Sequence, residues 1–223
     1  YTTTNNYNRM RRGSTILISL LVAIAIVLFV ADLATGSVNI PFAEVVRSLF
    51  GGKSEWSSIV IDIRLVRSVV ALLAGMALSI SGLQMQVLFR NPLAGPYVLG
   101  VSAGASLGVA LFLLGAPILG ITTSAIATIG TAGAAWIGSA LVLVAVVALS
   151  RRVKDIMVML ILGMMLSSAV GAIVEMMQYF SSEESLKSYV VWTMGSLGDV
   201  TSTQLAILAP VIFAGLAMAV ATI

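Results

Sequence analysis

The sequence of 223 residues contains no cysteine and no histidine. Disulfides, thiolate metal sites and thiol nucleophiles are therefore excluded, and the commonest general base and metal ligand is missing. Only 9% of the residues are charged, whereas a soluble domain carries roughly 25%. So few charges cannot cover a water-facing surface, so most of the exterior is predicted to face lipid. Without cysteine and histidine, no catalytic residue and no metal site are expected. No nucleic-acid partner is expected either, because the net charge of +3 is small and scattered.

Long apolar runs occupy most of the chain, and 59% of its residues are hydrophobic. A hydrocarbon core of roughly 30 Å takes about 20 helical residues to cross. The sequence therefore predicts an all-α integral membrane protein, a bundle of about six transmembrane helices. The predicted spans are residues 15–33, 60–89, 98–114, 123–149, 156–180 and 203–223.

The segments outside these spans predict the orientation. Residues 1–8 are polar and are expected to be frayed, and a basic stretch precedes the first apolar run. A cleavable signal peptide is the alternative to a retained first helix, since such peptides also begin with basic residues. The distribution of Lys and Arg among the loops favours a cytoplasmic N-terminus by the positive-inside rule. Short helices are predicted at residues 42–50 and 188–194.

Glycine recurs every four residues in the third predicted span, at Gly100, Gly104 and Gly108. Such a stripe lets membrane helices pack with their backbones close together. The fourth predicted span repeats the pattern with Gly130, Ala134 and Gly138. Tight packing without a direct functional role is the favoured interpretation.

Arg64 and Arg67 lie three residues apart near one end of the second predicted span, so they share a helix face. Asp62 is close enough in sequence to neutralise part of their charge. One interpretation is that both side chains extend to lipid headgroups. The other is that they dock carboxylates of an extracytoplasmic partner, since arginine forms bidentate bonds to carboxylate.

Two further features are candidates for a transport path. The proline-bounded break at residues 91–96 interrupts the helices, and non-helical backbone at membrane depth is tolerated only beside protein or a water-filled cavity. An ordinary turn is the alternative. Glu175 lies in the methionine-rich fifth span, where ionisable groups usually face a cavity or a partner. It could equally extend to the interface, and the methionines could simply fill the core.

Five motifs follow one another along the chain: residues 63–67 (IRLVR), 75–82 (GMALSISG), 91–96 (NPLAGP), 99–105 (LGVSAGA) and 192–198 (WTMGSLG). In this order they resemble the permease subunits of bacterial iron-chelate, haem and vitamin B12 ABC importers (type II importers). Val66 departs from the proline that is usual in the first motif. The resemblance covers nearly the whole chain and implies a ten-span family fold. Residues 1–223 are therefore expected to be a single permease domain that is truncated relative to the family, without its C-terminal spans and coupling helices.

The resemblance also implies residue roles. Arg64 and Arg67 match the arginines that dock the substrate-binding protein. Asn91 and Leu93 match one layer of a cytoplasmic gate, and Asp155 and Ile156 fall where its other layer lies. The fifth span lines the pathway in the family, which makes candidates of Met164, Ser168 and Glu175.

The predicted function is therefore that of a permease subunit in an ATP-driven importer in the bacterial inner membrane. It would form a homodimer, with two cytoplasmic ATPase subunits using ATP and Mg²⁺, and would bind no cofactor itself. A ferric siderophore is the expected cargo, with haem or cobalamin as the other possibilities. The alternative is an ion-coupled secondary transporter, whose broken helices and membrane acids are similar. A membrane-embedded enzyme and a purely structural subunit are the remaining rivals.

Overall fold

The computed structural model describes residues 2–52, 54–115, 130–151, 155–198 and 200–221, with side chains described from residue 14 onward except at residue 156. Across these ranges the secondary structure is helical, without a strand. The α-helices are α1 (Thr2–Ala34), α2 (Phe42–Leu49), α3 (Val66–Phe89), α4 (Val101–Ala110), α5 (Gly130–Ser150), α6 (Ile156–Phe180), α7 (Glu183–Thr193) and α8 (Ser202–Ala221). Shorter helical segments are the π-helical Ile59–Leu65 and Leu111–Gly115 and the 3-10 helical Pro96–Leu99.

Four helices in the described ranges are long and apolar enough to cross a membrane: Ser14–Ala34, Gly130–Ser150, Met157–Phe180 and Ser202–Ala221. They coincide with the described parts of four of the six predicted spans, whose residues 123–129 and 222–223 lie outside the described residues. The all-α membrane class is confirmed. The other two predicted spans correspond to α3 with the π-helical segment before it, and to the shorter apolar helix Val101–Gly115.

The chain separates into two compact units, so the prediction of one permease domain stays a prediction. The first consists of Tyr1–Gly75 and Leu197–Ala214. Its buried core joins the end of α1 to α2 and to the π-helical segment Ile59–Leu65. This core is formed by Leu33, Ile40, Val45 and Val60. Each of these side chains is at most 3% exposed. The core therefore holds the last turn of α1 in place. The apolar side chains in the earlier turns of α1 are largely exposed.

The second unit consists of Met76–Ser196 and Gly215–Ile223. It contains two apolar clusters. One joins the end of α3 and the following turn to α5 and α6, through Phe89, Ala94, Leu99, Val142, Val146 and Val170. The other joins α4 and the π-helical segment after it to α6 and α7, through Val109, Ala110, Leu114, Val174 and Tyr189.

Two sequence predictions about helix bounds are wrong. The chain is helical from Thr2 rather than frayed through residue 8, because no proline or glycine interrupts residues 2–12. The short helix predicted at 188–194 is α7, which already begins at Glu183. Its N-cap is Ser182, whose hydroxyl accepts a hydrogen bond from the Ser185 backbone N–H at 3.4 Å.

Candidate functional site

The Arg64 guanidinium is buried against the end of α1. Nη1 donates to the backbone carbonyls of Leu33 at 2.9 Å and Ala34 at 3.1 Å, and Nη2 donates to the carbonyl of Val38. The last carbonyls of a helix have no partner within the helix, and they carry the negative end of its dipole. Arg64 therefore caps the C-terminus of α1 from a segment about thirty residues further along the chain.

Arg67, one turn beyond Arg64, has a different environment. Its Nη2 lies 3.5 Å from Oδ1 of Asp32, and the side chains of Arg67 and Asp32 are 40% and 46% exposed. The other carboxylate oxygen of Asp32 accepts a hydrogen bond from the hydroxyl of Ser68, which is itself 3% exposed. The carboxylate paired with Arg67 is thus Asp32, whereas the sequence suggested Asp62.

The two arginines predicted to dock a partner therefore differ in availability. Arg64 is 4% exposed, and both of its terminal nitrogens donate to backbone carbonyls. Arg67 is partly exposed and has one weak ion pair. Docking through either residue stays a prediction, but of the two only Arg67 has a partly exposed side chain.

The predicted gate residues have well-defined local roles. The side-chain Oδ1 of Asn91 accepts a hydrogen bond from the backbone N–H of Leu93 at 2.9 Å, which fixes the turn after α3. Leu93 itself is 82% exposed. Asp155 is the N-cap of α6, and its Oδ1 accepts from the Met157 N–H at 2.8 Å. The side chain of Ile156 lies outside the described residues, and a gating role for the four residues stays a prediction.

The predicted pathway residues share one exposed face of α6. Met164, Ser168 and Glu175 lie within about 40° of one another around the helix axis, given 3.6 residues per turn, and all three are exposed. The Ser168 hydroxyl donates back to the Met164 carbonyl at 3.1 Å. The buried side of α6 carries Val170 and Val174 instead. A face that combines methionine, a hydroxyl and a carboxylate is available to line a path, and that role stays a prediction.

The glycine stripe of α4 packs directly on the backbone of α5. A Cβ added to Gly104 would lie 2.5 Å from the Gly138 carbonyl oxygen, and one added to Gly108 would overlap the Ala134 carbonyl. Conversely, a Cβ on Gly138 would overlap the Gly104 carbonyl. Gly100 precedes α4 with a φ of 77° and faces Ser167 and Val142. Because no side chain separates them, the two helices touch backbone to backbone.

A further buried contact, between α4 and α7, was not predicted from the sequence. The hydroxyls of Ser106 and Tyr189 share a hydrogen bond, and Tyr189 is 3% exposed. The two residues are 83 positions apart in the sequence, so no local sequence pattern indicates that they form a pair. Within the described ranges, no three acidic side chains group closely enough to hold a metal ion.

Comparison with known proteins identifies relatives. A protein of Helicobacter pylori named as an iron chelatin transport system permease is 38% identical over 145 residues, covering 65% of this chain and 41% of that protein. The hemin transport system permease HmuU of Yersinia pestis is 36% identical over 62% of this chain and 41% of its own length. The vitamin B12 import system permease BtuC of Vibrio vulnificus is 36% identical over 187 residues, 82% of this chain and 53% of that protein.

A solved structure agrees with these relatives. A transporter assigned to the metal-chelate type of ABC transporter, in an inward-facing conformation, superposes with a TM-score of 0.71 at 27% identity. The match covers 90% of this chain and 59% of that one. The chain thus spans about half the length of the curated relatives it matches.

The model of the FecCD transport family matches residues 23–223, which include the docking, gate and pathway candidates and the last 12 residues of α1. With its apolar helices, the chain is a multi-pass membrane protein that belongs to the FecCD transport family.

Proposed function

We propose that the chain forms part of a permease subunit that imports a metal chelate across a bacterial inner membrane, driven by ATP hydrolysis in separate subunits. The observation that carries this proposal is the match to the FecCD family along residues 23–223. The 0.71 TM-score with a metal-chelate type ABC transporter supports it at the level of the fold.

The proposed cargo is a ferric siderophore, with haem and cobalamin as alternatives. The relatives are named as permeases for iron chelatin, hemin and vitamin B12. Each of these three cargoes is a bulky organic molecule that holds a metal ion. The exposed face of α6 suits such a cargo, because it carries Met164 and methionine side chains adapt to large ligands. Ser168 and Glu175 supply polar contacts on the same face.

The proposed assembly is a homodimer with two cytoplasmic ATPase subunits and an external substrate-binding protein. The binding protein would contact the permease with carboxylates near Arg67, whose side chain is 40% exposed. Asn91 and Leu93, together with Asp155 and Ile156, would form the layers of a cytoplasmic gate. Partners and nucleotide can shift such a gate only through different affinities for its conformations.

Uptake measurements test the proposal. The full-length permease, its ATPase and its binding protein are reconstituted in proteoliposomes, and entry of radioactive ferric siderophore, haem and cobalamin is measured. The expected result is uptake of one chelate. This uptake should require ATP on the side of the membrane where the ATPase subunits lie, and vanadate should block it. Uptake that ignores vanadate and stops when an ionophore collapses the ion gradient would instead identify a secondary transporter.

A matched pair of variants connects this function to α6. Glu175→Gln removes the charge on the exposed face, whereas Glu184→Gln removes a charge in the first turn of α7. Only the α6 variant is expected to lower the uptake rate, while both should leave vanadate sensitivity unchanged. Equal rates for both variants would remove Glu175 from the pathway.

A further inference from the structure

The short helix α2 lies at the level where the membrane span of α1 ends. Its Val45 belongs to the same buried cluster as Leu33, in the last turn of α1, and Phe29 packs against this cluster. Phe29 and Leu33 are one helical turn apart, about 6 Å along the axis, and the span ends at Ala34. Helix α2 therefore lies beside the final turns of the span rather than beyond them.

An apolar face of α2 is left uncovered next to its buried face. The buried face carries Val45 and Ser48. On the adjoining face lie Phe42 and Leu49, which are both exposed and only about 20° apart around the helix axis. Large apolar side chains grouped on one side of a helix are unfavourable in water, so this face needs an apolar neighbour.

Phe50 adds a third apolar side chain at the C-terminus of α2, where it is 87% exposed. Gly51 has a φ of 82°, and its N–H donates to the Ser48 carbonyl at 3.3 Å. The Gly52 N–H donates to the Arg47 carbonyl at 2.9 Å. These two bonds form a Schellman motif, which ends a helix sharply. The exposure of Phe50 is therefore a consequence of a defined backbone turn and not of fraying.

The charged residues of α2 lie away from its apolar face. Nη1 of Arg47 lies 3.8 Å from Oε1 of Glu44, and the two side chains are 63% and 33% exposed. Arg47 is about 140° from Phe42 around the helix axis, so the ion pair can stay in water while the apolar face does not. The pair also leaves α2 without net charge, so attraction to an anionic surface is not expected to hold it in place.

We propose that α2 is an interfacial helix that inserts Phe42, Leu49 and Phe50 among the lipid acyl chains of the leaflet in which α1 ends. A helix with one apolar face, one charged edge and exposed aromatic side chains is typical of those that lie in the plane of a membrane. Lipid is also the neighbour expected for the adjacent α1, where Val27 and Val30 are exposed within an apolar span. The proposal rests on the membrane class of the chain and not on its cargo.

Site-directed spin labelling tests what occupies this face. Residues 1–223 contain no cysteine, so the full-length protein, with any cysteine elsewhere replaced, receives a nitroxide at Phe50→Cys alone. The control on the same helix is Arg47→Cys. In phosphatidylcholine nanodiscs, oxygen concentrates among acyl chains and a neutral nickel chelate stays in water. The ratio of oxygen to nickel collision rates is expected to be roughly 5-fold or more higher at position 50 than at position 47.

Two results at position 50 would overturn the proposal. Low collision rates with both reagents would show that protein covers the face, either another part of the full-length chain or a second copy. A high collision rate with the nickel chelate would show that the face lies in water.

The lipid headgroup provides a further test. Replacing part of the phosphatidylcholine by phosphatidylglycerol should leave the ratio at position 50 unchanged, because the charges of Glu44 and Arg47 cancel. A nitroxide that enters the acyl chains only in the presence of the anionic lipid would instead assign the contact to headgroup charge and overturn insertion by the apolar face.

A second measurement uses the unaltered protein and so does not depend on the folding of a variant. Phosphatidylcholine that carries a diazirine near the carbonyl end of an acyl chain is added to the nanodiscs. After irradiation, mass spectrometry locates the modified residues. Modification is expected at Phe42 and Phe50, and residues 26–30 of α1 serve as the positive control. Modified residues in α1 together with an unmodified α2 would exclude acyl chains from this face.

Discussion

The junction of α1 with the segment before α3 and the junction of α4 with α5 are held together by opposite means. At the first, one long side chain, Arg64, reaches across the gap and bonds carbonyls that its own helix does not contain. At the second, the absence of side chains at Gly104, Gly108 and Gly138 lets two backbones touch. The first contact requires the long side chain of Arg64, and the second requires that the residues at the contact have no side chain. The two junctions should therefore fail under different substitutions.

The largest effect is expected where a side chain is added to the glycine contact. Gly138→Ala places a Cβ against the backbone of both Gly104 and Gly108, so the helices must separate. The expected loss in free energy of unfolding is about 3 kcal/mol, the upper part of the usual range for overpacking. Reversible unfolding in mixed micelles at increasing SDS fraction measures it.

Gly171→Ala is the matched control, because it adds the same methyl group to a helix at a position with nothing within 4 Å. It should be neutral or stabilise by up to ~1 kcal/mol through helix propensity. Equal destabilisation by both substitutions would show that the α4–α5 backbone contact is not what sets the cost.

The next effect concerns the polar junction. Arg64→Met keeps a long side chain but leaves carbonyls of Leu33, Ala34 and Val38 without their donors, which should cost about 1–3 kcal/mol. Arg67→Met removes only a screened ion pair and should cost less than about 1 kcal/mol. The same SDS titration compares the two, and a larger cost for Arg67→Met would show that the Arg64 bonds are not what fastens the end of α1.

A smaller effect is expected in the second compact unit, where the hydrogen bond between the Ser106 and Tyr189 hydroxyls joins α7 to α4. Ser106→Ala and Tyr189→Phe each break the hydroxyl pair while keeping the packing volume nearly constant. A double-mutant cycle should give a coupling energy of about 1 kcal/mol. Strictly additive costs would mean that Tyr189 is held by its apolar neighbours alone.

The smallest effect is expected to be a gain. Arg90 directly follows α3 and has a φ of 49°, a left-handed conformation that costs a residue with a Cβ roughly 1–2 kcal/mol. Arg90→Gly should therefore stabilise the turn, offset in part by the greater freedom of glycine in the unfolded chain, for a net gain of about 0.5 kcal/mol. Arg90→Ala serves as the control, since it removes the same charge and keeps the Cβ; a gain of equal size there would assign the effect to charge instead.

The sequence predicted the elements that depend on local pattern. Apolar runs gave the positions of α5, α6 and α8 closely where they are described, and proline with asparagine indicated the turn after α3. The glycine spacing indicated which face of α4 is used. These features follow from periodicity or from a backbone restriction that acts within a few residues.

The contacts between distant segments could not be predicted in the same way. Asp32 is 36 residues from Ser68 and has no partner within its own helix turn that the sequence would suggest. Arg64 carries its charge to carbonyls, which every residue has, so nothing in the residue types marks its acceptors. Two arginines on one helix face therefore looked equivalent, and only burial separates them.

The touch between α4 and α5 also limits how this region can respond to any partner or cargo. A contact made by side chains can be loosened when a rotamer changes, but Gly104 and Gly138 have no rotamers to change. Sliding one helix past the other would drive a carbonyl into a neighbouring peptide unit. In any conformational change α4 and α5 should therefore move together as one rigid body, and the hinge residues should lie outside this pair of helices.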